Sequence, residues 1–411
     1  MVETTVKKVG YESYKDSGVE WLGEIPEHWE LGRLGSILKP VSSKNHPTEI
    51  LLSITRERGV IVRDIEDESS NHNFIPDDLT GYKLLKEGQF GMNKMKAWQG
   101  SYGVSNYTGI VSPAYYTFEF TKDIEPRFFH LAIRSKLYVS FFGKASDGVR
   151  IGQWDLSKDR MKRIPLAIPP LLEQTKIAQF LDDKTTKIDD AINIKEQQIN
   201  LLKERKQILI HKAVTQGLNP NVKLKDSGVE WIGEIPEGWE VKRLKHCLNI
   251  NNGSDYKHIQ TDGGYPVIGS GGQFAYASKY MYDGEVVFLG RKGTIDKPLY
   301  FKGKFWAVDT MFYANAKNGN IVKFLYYLAT TLPFSYYSTA TALPSMTQSD
   351  LNNHPISRPP IDEQKKIVEY IENGTKKIET AISLKKQEID TLKEYKSSLI
   401  NSVVTGKVKV F

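Results

Sequence analysis

The hydrophobic and polar positions of the chain fall into two regimes. Over two stretches, apolar or small residues recur at alternating steps of three and four with charged residues between them. In the first, Ala178, Leu181, Thr185, Ile188, Ile192, Lys195, Ile199, Leu202, Lys206, Leu209 and Ala213 keep these steps. In the second, Val368, Ile371, Thr375, Ile378, Ile382, Lys385, Ile389, Leu392, Lys396, Leu399 and Val403 repeat them, lysines included. Such a seam predicts helices that pair along a heptad stripe. Neither stretch has an internal proline, and each follows a proline pair, Pro169-Pro170 or Pro359-Pro360, suited to a helix boundary. About 40 residues at about 1.5 Å each give a rod of about 60 Å, long for a globular core. Elsewhere short alternating runs are broken by Gly, Pro, Asn and Asp, which predicts strands and turns. EGQFGMNKMKAWQGSYGVSNYTGIVSPAYYTFEF and YDGEVVFLGRKGTIDKPLYFKGKFWAVDTMFYAN both read as strand, basic polar loop, strand. The first loop carries Lys94, Lys96, Trp98, Gln99, Ser101 and Tyr102, and the second Arg291, Lys292 and Thr294.

The chain also repeats itself. Lys15 to Leu34 (KDSGVEWLGEIPEHWELGRL) and Lys225 to Leu244 (KDSGVEWIGEIPEGWEVKRL) agree at 16 of 20 positions with an offset of 210. The helical stretches, beginning PPLLEQTKIAQFL and PPIDEQKKIVEYI, agree at 22 of 47 positions with an offset of 190 and end alike in AVTQG and VVTG. The segment between the repeated blocks is therefore 20 residues shorter in the second copy, and the two intervening segments look unrelated. Each half runs as a repeated leading segment, an unlike module and a repeated helix. Two copies with unlike middles do not make a solenoid; they make a frame that holds two different things.

The expected fold class is α+β, with two globular α/β modules joined by two long antiparallel helices in a coiled coil about an internal pseudo-two-fold axis. Its seam would set Leu181, Ile188, Ile192, Ile199, Leu202 and Leu209 against Ile371, Ile378, Ile382, Ile389, Leu392 and Leu399. The corresponding segments are 1–168 (leading repeat and first module), 169–222 (central helix), 223–358 (leading repeat and second module) and 359–411 (distal helix). A parallel pair, or helices each lying along its own module, fits the same pattern. The seam lysines are expected to be exposed, snorkelling at the stripe's edge.

Charge sharpens the reading. With 56 Lys and Arg against 49 Asp and Glu, the net charge of +7 is too small for a general polycation, so any affinity for nucleic acid is local. Residues 31–168 carry 20 basic and 15 acidic side chains and residues 241–358 carry 13 and 7, or +5 and +6, leaving −4 for the rest. The excess lies in the unlike modules, as expected if they meet phosphate. Ser270, Gly271 and Gly272 form a loop whose backbone NH groups could approach a phosphate, or an ordinary turn. The phrases RIGQWDL and SMTQSDL close the modules and offer Arg150, Gln153 and Gln348; a glutamine amide can bond bidentately to adenine. Trp21, Trp29, Trp231 and Trp239 recur with the frame and read as packing. His28, His46, His72 and His130 have no metal-ligand spacing, and the single cysteine, Cys247, reads as a small buried side chain.

Catalytic signatures are missing from the sequence. Gly303-Lys304 and Gly406-Lys407 lack the rest of a phosphate loop, there is no HExxH or GxSxG, and Pro76-Asp77 is not followed by the acid-x-Lys of a metal-dependent nuclease. Nor is there an Asn or Asp followed by Pro-Pro and an aromatic, which an amino-methyltransferase uses to hold a flipped base. No cofactor is expected in this chain. The segment MVETTVKKVGYESYKDSGVEW lacks an apolar stretch, which gives the expectation of a soluble cytoplasmic protein with no membrane contact.

The doubled DSGVEW-GEIPE-W and PP-EQ-KI motifs, alternating with two unlike modules over essentially the whole chain, resemble the specificity subunits of type I restriction-modification systems. The resemblance implies two target-recognition domains, each reading one half of a split double-stranded DNA site, and an antiparallel coiled coil that fixes the gap. It implies two methyltransferase subunits docked on the frame, with S-adenosylmethionine held by them, and translocating restriction subunits beyond. It transfers no residue-level DNA contact, so the residues named above are choices from loop composition. A coiled-coil scaffold binding proteins through its modules, or a specificity subunit of a modification-only system, would share the same frame.

Overall fold

The two heptad stretches are single helices, Leu171–Gln216 (the central helix) and Ile361–Val404 (the distal helix), in the computed structural model of the chain. The structure describes residues 10–65, 75–150, 153–334 and 344–411; the side chains of 148–150 and 153 lie outside that description. Two compact units form, one from Met1–Ile194 with Gln387–Phe411, the other from Lys195–Lys386. Each unit takes half of each long helix. The segments 1–168 and 223–358 each fall within one unit, whereas 169–222 and 359–411 are each divided between the two, because a helix half buries its seam against a half that lies far away in sequence.

Within each unit the helix halves run antiparallel. In the first, Ile177, Ala178 and Leu181 share a core with Val403 and Val404. Farther along the central helix, Asp189 accepts from Lys396 Nζ at 2.6 and 2.7 Å. In the second unit Ile210, Ala213 and Val214 share a core with Ile367, Val368 and Ile371, and Lys206 Nζ donates to Glu379 at 2.6 Å. Advancing on one helix means retreating on the other, which removes the parallel alternative. Leu181, Ile188, Ile192, Ile199, Ile371, Ile378 and Ile389 are buried, whereas Leu202, Leu209, Ile382, Leu392 and Leu399 are half-buried. Lys206 and Lys396 correct one expectation. Both are half-buried and reach across to a carboxylate instead of snorkelling to solvent. The two ion pairs are one contact written twice: adding the 190-residue offset to Asp189 and Lys206 gives Glu379 and Lys396.

The unlike modules share a skeleton that identity does not reveal. The first holds a four-stranded antiparallel sheet ordered Leu38–Val41, Tyr116–Phe120, Phe90–Met92, Tyr102–Val104. The second holds a seven-stranded sheet whose first four members, Leu248–Asn252, Met311–Ala316, Tyr282–Gly290 and Leu299–Ala307, have the same chain order and the same antiparallel pairing. Only the insertions differ. Three strands, Tyr265–Gly269, Gly272–Ala277 and Gln260–Thr261, extend the second sheet, while the first module adds the hairpin Leu52–Thr55/Gly59–Val62 and the pair Lys83–Leu85/Gly109–Val111. A sheet is specified by apolar alternation and turns, which many sequences satisfy.

A short helix follows the fourth strand of each skeleton, Pro126–Ile133 or Val322–Ala329, and docks on the frame through matched contacts. Gln174 Oε1 accepts from the Glu125 backbone NH at 2.9 Å, and Gln364 Oε1 accepts from that of Ile321 at 2.9 Å. Arg127 makes a forked pair with Asp182 at 2.6 to 3.1 Å, and Lys323 pairs with Glu372 at the equivalent place. Gln174 and Gln364 are the glutamines of the repeated PP-EQ motif, and each amide nitrogen also donates to the first proline's carbonyl, at 2.8 and 3.1 Å.

The motif's glutamates hold the leading repeats. Each repeat forms a hairpin, Tyr14–Asp16/Glu24–Pro26 or Leu224–Asp226/Glu234–Pro236, and then places a buried tryptophan beside a helix start. Trp29 Nε1 donates to Glu173 at 3.0 Å, and Trp239 Nε1 donates to Glu363 at 2.9 Å. Glu173 also accepts from Tyr11 OH at 2.5 Å and bonds His28 Nε2 at 2.8 Å. The other helix of each unit ends against the same indole. Gly406 and Gly217 stop the helices at φ +73° and +76°, and a Cβ there would lie 3.3 Å from Trp29 and 3.2 Å from Trp239. Glycine is required both for the left-handed turn and for the room. Among the described residues no helix is long and apolar enough to cross a membrane.

Glu173→Ala leaves the Trp29 NH buried without an acceptor, and we expect a destabilisation of about 1–3 kcal/mol. Lys396→Ala, at a solvent-accessible ion pair, should cost at most about 1 kcal/mol. Urea unfolding of the two variants side by side checks the ranking.

Candidate nucleic-acid interface

In the first unit the basic loop connects Phe90–Met92 to Tyr102–Val104. It closes through a 3-10 turn, Ala97–Gln99, with Gly100 at φ +92° and the Asn93 NH donating to the Ser101 carbonyl at 2.9 Å. Lys96 is exposed, while Lys94, Trp98 and Gln99 are half-buried. Lys94 Nζ donates to Asp155 at 3.2 Å, and Trp98 lies against Trp154 with ring centres 4.9 Å apart. Both partners come from the strand Gln153–Leu156, which pairs with Ser146–Arg150 beside the loop. Arg150 and Gln153 face each other in that register, and their side chains lie outside the described residues, as does His72. Ser101 and Tyr102 are corrections. They are 2% and 0% exposed, and Tyr102 OH donates to the Ile133 carbonyl at 3.1 Å. The strand is covered on both faces, so neither side chain reaches a ligand, and burial pushes the Tyr102 phenol up.

Arg134, to which no sequence motif points, organises this surface. Its guanidinium donates to the carbonyls of Gly100 and Tyr102 at 3.0 and 2.6 Å, and to those of Arg56 and Glu57 at 2.7 and 2.9 Å. It thus ties the basic loop to the turn Arg56-Glu57-Arg58 of a neighbouring hairpin and adds two exposed arginines to the face. His130, one helical turn earlier, accepts from the Val104 NH at 3.2 Å through Nδ1. Burial, then the nearby Arg134 and Arg127, pushes its pKa down to about 3. Lys83, Lys44 and Lys158 also gather near Lys94. Burial first, and then repulsion from Lys158, Lys44 and Lys94, lowers the Lys83 pKa. These lysines are scattered in sequence, so no run of basic residues announces them.

In the second unit, Ser270 and Gly271 are the tip of a two-residue hairpin turn closed by Gly269 and Gly272. A Cβ at Gly271 or Gly272 would meet nothing within 4 Å, so the tip is open, and Gly272 is required by its φ of +97°. Beside it, Phe274 and Tyr276 are 57% and 40% exposed, and Lys304 Nζ lies 4.8 Å from the Tyr280 ring centre. Exposed rings next to a cation suit stacking on bases and contact with phosphate. Arg291, Lys292 and Thr294 follow the strand Tyr282–Gly290, where Gly290 lets the loop fold back: a Cβ would lie 2.3 Å from the Thr294 carbonyl oxygen. Lys292 and Thr294 are exposed. Arg291 is half-buried, donating to the Asp309 carbonyl at 3.3 Å with its guanidinium 5.9 Å from the Phe312 ring centre.

Gln348 is a further correction. It opens the short helix Gln348–Asn353, and its amide nitrogen is engaged by the Ile250 carbonyl at 2.5 Å. Nor is it the counterpart of Gln153. The caps Ser157 and Thr347 are equivalent, each accepting from an NH three residues on, which aligns Gln348 with Lys158. Among the described residues no group of three or more His, Cys, Asp or Glu side chains could hold a metal.

A duplicated frame presenting two unlike sheets, with cations, amides and exposed rings on their loops, defines a protein with two different loop-bearing surfaces. The chain belongs to the family described as the type I restriction modification DNA specificity domain, whose profile matches residues 90–204 and 236–394. It is 24% identical over 424 residues to the type I restriction enzyme MjaVIII specificity subunit of Methanocaldococcus jannaschii, covering 94% of both chains. Its fold is similar to that of the HsdS subunit from Thermoanaerobacter tengcongensis, with TM-score 0.55, 15% identity, and 93% of this chain and 98% of that one covered. A chain from a structure of complex assembly and conformational transition in a type I R-M system gives TM-score 0.71 at 15% identity, covering 92% and 98%.

The His130 environment predicts an acid limb in stability. Its folded pKa of about 3 lies below the ordinary 6.5, so between these values the unfolded chain binds the extra proton. Stability is full above about pH 6.5 and falls as pH drops towards about 3, by up to about 1.4 kcal/mol per pH unit. His130→Gln keeps an acceptor without titrating. It should flatten the fall of the urea midpoint of the first unit between about pH 6 and 4.

Proposed function

We propose that this chain is the DNA-recognition subunit of a type I restriction-modification complex and that its two units read the two halves of an asymmetric, bipartite duplex site. One observation carries the reading: the same frame and the same four-strand skeleton occur twice, while the loops they present differ in length, charge placement and aromatic content. Equal loops would read equal half-sites; these are unequal. Lys96 with Arg56 and Arg58 in the first unit, and Lys292, Thr294 and the Ser270-Gly271 tip in the second, are the exposed groups proposed to meet the duplex. Phosphate contacts would set the register and amide or guanidinium contacts the sequence.

In this reading two methyltransferase subunits dock on the repeated frame. S-adenosylmethionine sits on them, and they flip and methylate an adenine within reach, because that atom is inaccessible in the stack. Restriction subunits supply cleavage, and the complex works in the cytoplasm. A modification-only assembly would use the same contacts.

Methylome sequencing of a host expressing the complex should return one bipartite motif with unlike halves. Exchanging residues 34–164 for those of another family member should change one half and leave the other intact; a change in both halves would overturn independent reading. Lys96→Ala should weaken binding of the specific duplex about two- to tenfold and lower the salt slope by about 0.9, the value for one phosphate left without its cation.

A further inference from the structure

One charged feature of the first unit is not repeated in the second. In the first unit an open cleft of about 580 Å³ lies between the leading hairpin and the end of the module. Its lining includes Arg33, Lys144, Arg160 and Arg163, with Trp21 and Phe141 stacked on each other at 3.7 Å between ring centres. Arg160 pairs with Asp147. Arg33, Lys144 and Arg163 are exposed and have no acidic partner among the described residues. No Asp or Glu is among the described residues that line the cleft.

The second unit holds the same backbone positions with different charge. The equivalents of Arg160 and Arg163, through the 190-residue offset, are Asp350 and Asn353. Over the whole short helix and its cap, Lys158 to Arg163 carries four cations and one anion, a net +3, whereas Gln348 to Asn353 carries −1. A partner docked once on each copy of the frame needs the same groups twice, so the cations of this cleft serve an occupant bound once. Lys158, at the other end of that helix, belongs to the lysine group around Lys83 and Lys94. Asp147, the partner of Arg160 in the cleft, stands opposite Asp155, the partner of Lys94 in the basic loop, so the cleft and that loop border the same hairpin.

We infer that this cleft holds a phosphodiester segment of the DNA flanking the first half-site, anchored by Arg33, Lys144 and Arg163 and unmatched in the second unit. The inference rests on the DNA-recognition reading. Guanidinium forks suit phosphate oxygens, and three cations without counter-charges are held together at a cost that a polyanion relieves. Such an anchor adds affinity without reading bases.

The test uses the complete complex with its methyltransferase subunits and duplexes carrying the site, with the flank on the first-module side either long or cut back. With the long flank, Arg33→Gln/Arg163→Gln should lower the slope of log affinity against log salt by about 2, at about 0.9 for each phosphate no longer neutralised. The half-site preference should not change. With the short flank, wild type and variant should converge. Lys144→Gln alone should lower the slope by about 0.9, and Arg243→Gln, at the Arg33 position of the second unit, should leave it unchanged. An unchanged slope in both first-unit variants overturns the inference, as does an altered base preference. Unchanged DNA binding with failed uptake of the restriction subunit would instead assign the cleft to an acidic protein segment, and also overturns it. If the wild-type complex bound no duplex preferentially, the recognition reading itself would fall.

Discussion

A buried indole NH must have an acceptor, and this fold answers that requirement with a glutamate at the first turn of a long helix, twice. The bonds Trp29–Glu173 and Trp239–Glu363 span 144 and 124 residues of chain, and the difference of 20 is the difference in length of the intervening segments. Whatever lies between, the leading hairpin must return to the helix start. The glycine that ends the other helix packs on the same ring, so one side chain joins three pieces of frame. Insertions in the modules are tolerated because they are looped out from a closed ring of contacts.

The neighbouring glutamine extends the same arrangement. Glu and Gln of the PP-EQ motif divide the work, the carboxylate holding the leading repeat and the amide holding the first turn of the module's helix. Beyond that turn the module stays packed on the frame through contacts such as Trp21 on Phe141, and the variation is confined to its loops and added strands. The first module arranges its basic loop through Arg134, whose terminal nitrogens meet four main-chain carbonyls of two loops and do not depend on the loop side chains. Loop residues can therefore change while the loops keep their places.

The frame is legible in the sequence because its constraints are local and periodic. The heptad seam, the proline pairs and the repeated tryptophans all announce themselves, and the burial pattern follows the seam. What stays hidden depends on partners distant in the chain. Nothing at Lys206 indicates Glu379, so a seam lysine reads as a surface lysine. Ser101 and Tyr102 sit in a polar-looking run, and only the cover on both faces of their strand makes them core. The phrase around Gln348 resembles that around Gln153, yet the helix caps align Gln348 with Lys158. The shared skeleton of the modules escapes notice because alternation leaves identity free, and Lys44, Lys83 and Lys158 escape it because a surface need not be contiguous in sequence.

The first unit is built from two stretches of chain, Met1–Ile194 and Gln387–Phe411, and the helix half it takes from the second stretch is the repeat-mate of the central-helix half that Lys195–Lys386 supplies to the second unit. Asp189 meets Lys396, the counterpart of Lys206; Glu379, the counterpart of Asp189, meets Lys206 itself. The surfaces are thus self-complementary in the manner of an isologous homodimer. A polypeptide of half this length, ending after its first long helix, already contains each group needed to complete a second copy of itself. Two copies in one chain can carry unlike modules, which identical protomers encoded by one gene cannot do.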